Sequence, residues 1–320
     1  MIKDYLSKDA FKNGFKILKA AFNGFMDDRA LKFSASLAYY TIFSLAPLLL
    51  LMISLAGVFL GKDAIQGKVF SEINGMVGNE AAKQIQDMIK NLEMSGKSTM
   101  SVIIGVVTLI LGATTVFGEI QDSINIIWQV KAKPEKGWLK LIKDRVLSSS
   151  LIVTLGFLLL VSLVVNGALL AVSDRLKSFL PDITVVLFNI INVAISFTVI
   201  AVLFGVIFKV LPDVKIAWKH VRSGAIFTAV LFMIGRLLIG IYIEKSGTSS
   251  TYGAAGSLIV ILLWVYYTAA ILYFGAEFTR AYADYKGVRI EPADYAVHVE
   301  EKEQEKDVAV LPKQHDIKPE

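Results

Sequence analysis

A chain of 320 residues that is 55% hydrophobic and 19% charged, with mean hydropathy +0.59, is too apolar for a soluble domain and fits a membrane protein with several spans. Cysteine is absent, which excludes disulfides, thiolate metal sites and cysteine nucleophiles. The net charge of +5 is small, so the placement of the charges says more than their sum.

Residues 1–32 form a basic arm. Lys3, Lys8, Lys12, Lys16 and Lys19 interleave with Phe11, Phe15, Leu18, Phe22 and Phe25, whose spacing puts them on one helical face. No short apolar core of a cleaved signal follows. The pattern predicts an amphipathic helix, either lying in the membrane interface or packed on the protein's own cytoplasmic end.

Six long apolar runs then predict transmembrane helices at about 33–60, 100–117, 146–172, 183–208, 221–243 and 256–279, inside a membrane domain of residues 33–285. The fold class is an all-α integral membrane protein with additional interfacial helices. Residues 1–32, 118–145, 209–222 and 280 onward hold 24 of the 33 lysines and arginines, which predicts cytoplasmic N- and C-termini. The second apolar run continues as an amphipathic helix through Trp128. The external segment 62–99 has balanced charge and two short amphipathic patterns, a surface that suits a protein partner. The stretch KAKPEKGWLKLIKDR is basic and suits the inner interface. Residues 286–320, with the run VEEKEQEKD, predict a disordered cytoplasmic tail. Membrane lipids are the expected partners; no nucleic acid, metal or cofactor is implied.

Polar groups inside a span are costly unless paired or wet, so they mark candidate sites. The first span carries Tyr39, Tyr40, Ser44 and Pro47. Pro47 has no N–H for the carbonyl of Phe43, which predicts a kink and leaves that carbonyl to Ser44 or a neighbouring helix. Asn166 in the third span, and Asn189, Asn192 and Ser196 along one face of the fourth, are explained singly by interhelical hydrogen bonds of about 0.6 kcal/mol each. Arg236 is the one basic residue well inside a span, roughly 10 Å from the outer end of its helix, and calls for an anion, water or an acidic headgroup. Glu277 falls at the opposite, cytoplasmic end. There Glu119, Asp122, Arg145, Arg222, Glu277 and Arg280 form a candidate ring of opposed charges. In the last span Tyr266, Ala270, Tyr273, Glu277 and Arg280 share a face turned into the bundle, while Gly275 and Thr279, four apart, permit close helix approach.

The segments ASLAYYTIFSLAPLLL, IQDSINIIWQV and YGAAGSLIVILLWVYY with FGAEFTRAYA, in this order, resemble the YihY/BrkB family of bacterial inner-membrane proteins over about residues 28–283. The resemblance implies a polytopic inner-membrane protein. Some members have carried a ribonuclease label, which these residues do not support. Only His220, His298 and His315 are present, and Glu119 with Asp122 is a sparse acidic site for phosphodiester chemistry. No catalytic residue is expected. Two functions compete. The first is a carrier or flippase-like protein for an amphiphilic or anionic substrate, with Arg236, Asn166, Asn189, Asn192, Ser196, Tyr39, Tyr40 and Tyr266 as pathway contacts. No P-loop sequence is present, so its energy would come from a gradient or a partner. The second is a membrane scaffold or envelope-assembly protein that transports nothing.

Overall fold

The computed structural model describes residues 8–44, 99–133, 181–246 and 256–300. The predicted span 146–172, residues 62–98 of the external segment, Pro47 and residues 301–320 lie outside them. The described elements are helix α1 (Lys8–Asp27), helical residues 30–44 (α2), α3 (Thr99–Ile127), strand β1 (Val130–Ala132), α4 (Pro181–Val210), β2 (Val214–Lys215), α5 (Trp218–Ser246), α6 (Gly256–Tyr285), β3 (Glu291–Pro292) and β4 (Ala296–His298). Three helical stretches, Val193–Val210, Trp218–Tyr242 and Ile259–Tyr285, are long and apolar enough to cross a membrane. α3 runs ten residues past the predicted end of its span, carrying buried Gln121 and Asn125 on one face and buried Ser123 on another.

Helix ends are set by backbone chemistry. α6 closes in a Schellman turn: Gly287 adopts φ 67°, its N–H donates to the Asp284 carbonyl, and the Val288 N–H donates to Ala283. α1 and α3 end on the same left-handed geometry at Arg29 and Gln129, with φ of 56° and 55°. A side chain in that conformation costs about 1 kcal/mol or more. The turn at residues 28–29 passes the chain directly from α1 into α2.

The helices pack in the order α1, α6, α5, α4, with the C-terminal end of α3 also against α6. α5 and α6 meet through reciprocal notches. Thr279 occupies the space a side chain on Gly224 would need, and Thr228 does the same for Gly275. Each threonine hydroxyl donates to the carbonyl four residues before it on its own helix, at 2.7 Å, and so needs nothing from its neighbour. The close approach expected at Gly275 and Thr279 is therefore present, and it is matched by the same spacing on α5. Phe227 stacks on Phe278 at 3.7 Å below this crossing, while Phe232 meets Phe204 of α4 and Trp264 of α6 edge-on.

α1 divides the face read from its sequence. Ile17, Ala21, Gly24 and Phe25 turn toward α6, with Phe25 edge-on to Phe274 at 5.7 Å. Phe15, Leu18, Phe22 and Met26 point outward as a separate apolar stripe. The helix is thus packed on the protein and still amphipathic on its free side. In α2, Ser44 donates to the carbonyl of Tyr40 at 3.0 Å, so its hydroxyl does not serve the Phe43 carbonyl left by Pro47. Ser44 instead lies in a notch at Gly112 of α3.

The chain after α6 departs from the expectation of a tail disordered from residue 286. β3 pairs antiparallel with β2, and β4 with β1, in registers Val214↔Pro292 and Lys131↔Val297. Lys215 and Asp294 form an exposed ion pair beside β3 that holds the lysine ammonium above its ordinary range. Alternation of charged and apolar residues in RIEPADYAVHVE allows strands wherever partner edges exist. Here β1 and β2 supply them, which single-chain composition does not reveal.

Candidate functional site

At the end of the bundle where α3 and α6 finish and α5 begins, two polar constellations form. The first lies between α1 and α6. Glu277 leans from α6 onto Gly24 of α1, where an added Cβ would stand 2.5 Å from its Oε2. Only 3% of Glu277 is exposed, and its Oε1 is buried with no hydrogen-bond partner. The carboxyl of Asp28, at the end of α1, faces it. Arg280, one turn further along α6, donates through Nη1 to the Ile127 carbonyl at the end of α3 and places the same nitrogen 3.8 Å from Asp28 Oδ2. A cation on a helix C-terminus also complements the partial negative charge there. Trp128 Nε1 donates to the Ala276 carbonyl at 3.1 Å, fixing α3 to α6 beside the arginine.

These groups open onto a cleft of about 520 Å³, lined by Lys16, Asp27, Asp28, Glu277, Arg280 and Asp284 together with small or apolar positions such as Ala20, Gly24 and Ala281. Four carboxyl groups against two cations give it an acidic balance. Deeper along α6, Tyr273 is fully buried, edge-on to Phe33 of α2, and its hydroxyl lies beside Ser123 of α3 without a close hydrogen bond.

The second constellation is centred on Asp213, in the turn between α4 and β2, which is 1% exposed. Gln121 and Asn125, one turn apart on α3, donate to its two carboxylate oxygens at 3.0 and 2.9 Å, and the Tyr295 hydroxyl donates at 3.0 Å. Asn125 also accepts from the Asp213 N–H at 2.9 Å, and the Ala293 N–H donates to the Asp213 carbonyl. Through these neutral donors the carboxylate joins three sequence-distant segments.

Of the expected charge ring, the structure brings Glu277 and Arg280 together at the cleft, with Glu119 within electrostatic reach of Tyr273. Asp122 and Arg222 are exposed, and Arg145 lies outside the described residues. The counterpart of Glu277 on α1 is another carboxyl group, Asp28, rather than one of the expected cations. Among the proposed pathway contacts, Arg236 is exposed between outward-facing Ile234, Leu237 and Leu238. Tyr39 is exposed and packs on Tyr40 and Phe43, while Tyr266 and Ser196 are half-buried. Asn166 lies outside the described residues, and so do the side chains of Asn189 and Asn192. Asp27, Asp28 and Asp213 did not stand out in the sequence, and Lys16 did so only as one lysine of the basic arm. For Asp28 the available signal was its place at the break between the arm and the first span; for Asp213, a lone acid in the basic loop KVLPDVK. Among the described residues no group of three acidic or histidine side chains is placed to hold a metal ion.

A family profile described as virulence factor BrkB matches residues 21–297. The relatives include a UPF0761 membrane protein of Pseudomonas aeruginosa strain LESB58, 28% identical over 84% of this chain and 63% of its own length. Others are one from Methylibium petroleiphilum, 29% identical over 81% of this chain and 60% of its own, and one from Xanthomonas oryzae pv. oryzae, 26% identical over 82% and 59%. The chain thus spans about three-fifths of the length of these relatives. No solved structure matches.

Proposed function

The chain belongs to the virulence factor BrkB family of membrane proteins, and from that premise we propose that it is a non-enzymatic carrier of an amphiphilic molecule in the bacterial inner membrane. The observation that carries this reading is the cleft between α1 and α6, in which a buried carboxyl oxygen without a partner faces an opening large enough for a lipid headgroup. Buried ionisable groups in a membrane domain are costly and are kept where a substrate or ion passes. Small-residue contacts at Gly24, Gly224 and Gly275 bring α1, α5 and α6 into close approach around this cleft.

In this proposal six helices cross the membrane and both termini are cytoplasmic. Support comes from Lys131 and Lys133, from Lys209, Lys215, Lys219 and Arg222, and from Lys286 and Arg289, whose segments are drawn to one end of the bundle by the β1–β4 and β2–β3 pairings. The cysteine-free sequence makes the topology directly testable. Single cysteines introduced at positions 178 and 248 should react with a membrane-impermeant maleimide added to intact spheroplasts, and cysteines at 215 and 294 should react only after lysis. The reverse pattern refutes the orientation. For transport, reconstituted wild-type protein should move a headgroup-labelled phospholipid between leaflets faster than protein-free vesicles do, and Glu277→Gln should lose most of that acceleration. Movement at the protein-free rate by the wild type refutes the carrier.

A scaffold role without transport is supported by a different observation, the outward stripe of Phe15, Leu18, Phe22 and Met26 on α1. A photo-crosslinker at Phe22 that trapped one defined protein in cells, with no lipid movement in vesicles, would favour that role.

A further inference from the structure

We infer that the α1–α6 cleft is a binding site for a primary ammonium group, with Glu277 as its principal ligand. The inference deepens the carrier reading and rests on it for its biological role, while the binding itself stands on the cleft. Glu277 is 97% buried by its 3% exposure, its Oε1 has no hydrogen-bond partner, and it lines the opening. Asp28 lies within hydrogen-bond reach of the Glu277 carboxyl, so the two carboxyl groups share one side of the cleft and repel when both are ionised. Arg280 is shared between this pair and the Ile127 carbonyl and approaches Asp28 at 3.8 Å. A cation seated against Glu277 Oε1, on the cleft side of the pair, weakens the repulsion and completes the unmet acceptor.

The shape of the cleft selects the kind of cation. With no metal-holding group among the described residues, the site suits an organic cation rather than a metal ion. An ammonium with three donors can engage Glu277 and Asp28 together and leave one proton for the rim, where Asp27 and Asp284 are exposed. Lys16, on the same wall, is free of the α3 contacts that occupy Arg280 and is placed to take a phosphate beside the ammonium. Carboxylates on one side with a lysine on the other match the ammonium and phosphate of an aminophospholipid headgroup. The same ammonium chemistry is offered by a free amine.

The test uses the purified full-length protein in detergent, with phosphatidylethanolamine and phosphatidylglycerol of identical acyl chains as probes and retained lipid measured by native mass spectrometry. The wild type should hold phosphatidylethanolamine about tenfold or more above phosphatidylglycerol, and Glu277→Gln should bring the two level. Because Glu277 is buried, the exposed pair Asp27→Asn with Asp284→Asn serves as a second variant with the core untouched, and should lower the preference about threefold. A third arm adds free ethanolamine. If it protects the cleft, read as slowed labelling of a cysteine at Ala281, while the two lipids bind alike, the ammonium site stands and its source is a free amine. Equal retention of both lipids without protection by ethanolamine overturns the inference, as does an unchanged preference in both variants. Loss of the carrier reading looks different: the protein would hold phosphatidylethanolamine selectively yet move no lipid across vesicles.

Discussion

Gly24 decides where Glu277 can sit. With a hydrogen in place of a side chain, α1 lets the carboxyl group of α6 lie against its backbone, and an alanine would put a methyl group within 2.5 Å of Oε2. Gly24→Ala is expected to destabilise the protein by about 1–3 kcal/mol, as overpacking at a closed contact does. The gain in helix propensity, about 1 kcal/mol, acts in the opposite direction and is smaller. Thermal unfolding in detergent measures the net change, and an unchanged or raised midpoint would show that Glu277 has room to move. Gln129 makes the opposite case. It holds a left-handed conformation at the end of α3, and its N–H donates to the Ile126 carbonyl whatever its side chain. Gln129→Gly should therefore stabilise by about 0.5–1 kcal/mol in the same measurement. Glu277 could be singled out from sequence because an acid near the end of an apolar run is conspicuous. Its real neighbour could not, because Asp28 looks like an ordinary solvated helix end until α1 is seen to fold back along α6.

Between elements, the crossing of α5 and α6 rests on two glycine–threonine pairs four residues apart, each threonine filling the other helix's notch. Gly275→Ala should cost about 1–3 kcal/mol because its methyl meets Thr228. In a Thr228→Ala background much of that cost should vanish, giving a coupling of at least about 0.5 kcal/mol in a double-mutant cycle. Strict additivity would mean that the two residues do not share the contact. The small-residue spacing on α6 was readable from its sequence, since helices in a membrane approach where side chains are small. Which helix it meets was not readable, because Gly224 and Thr228 belong to one of several apolar helices with similar content. The arm shows the same division. Its lysine and phenylalanine periodicity predicts a helix, but periodicity alone cannot say that Phe25 turns inward while Phe15 and Phe22 turn out.

For the molecule as a whole, Asp213 ties α3, the α4–α5 connection and the C-terminal strands into one assembly. Asp213→Ala removes the acceptor and leaves the Gln121 and Asn125 amides buried without it, an expected loss of about 2–4 kcal/mol. Tyr295→Phe deletes one donor from a carboxylate that keeps two others and should cost about 1 kcal/mol. Chemical denaturation in detergent, followed by tryptophan fluorescence, distinguishes the two; equal losses would refute the ranking. The helical membrane class was legible because apolar runs and basic loops are long-range averages over many residues. This latch was not, because its partners lie 82 to 92 residues apart and each is unremarkable alone.

The latch also bears on biogenesis. A chain made from its N-terminus presents Gln121 and Asn125 early and Asp213 later, but β3, Tyr295 and β4 only after α6 has been synthesised. Closure of this end therefore waits for the last-made segment of the described chain. Until then the edges of β1 and β2 lack the partners they have in the folded chain.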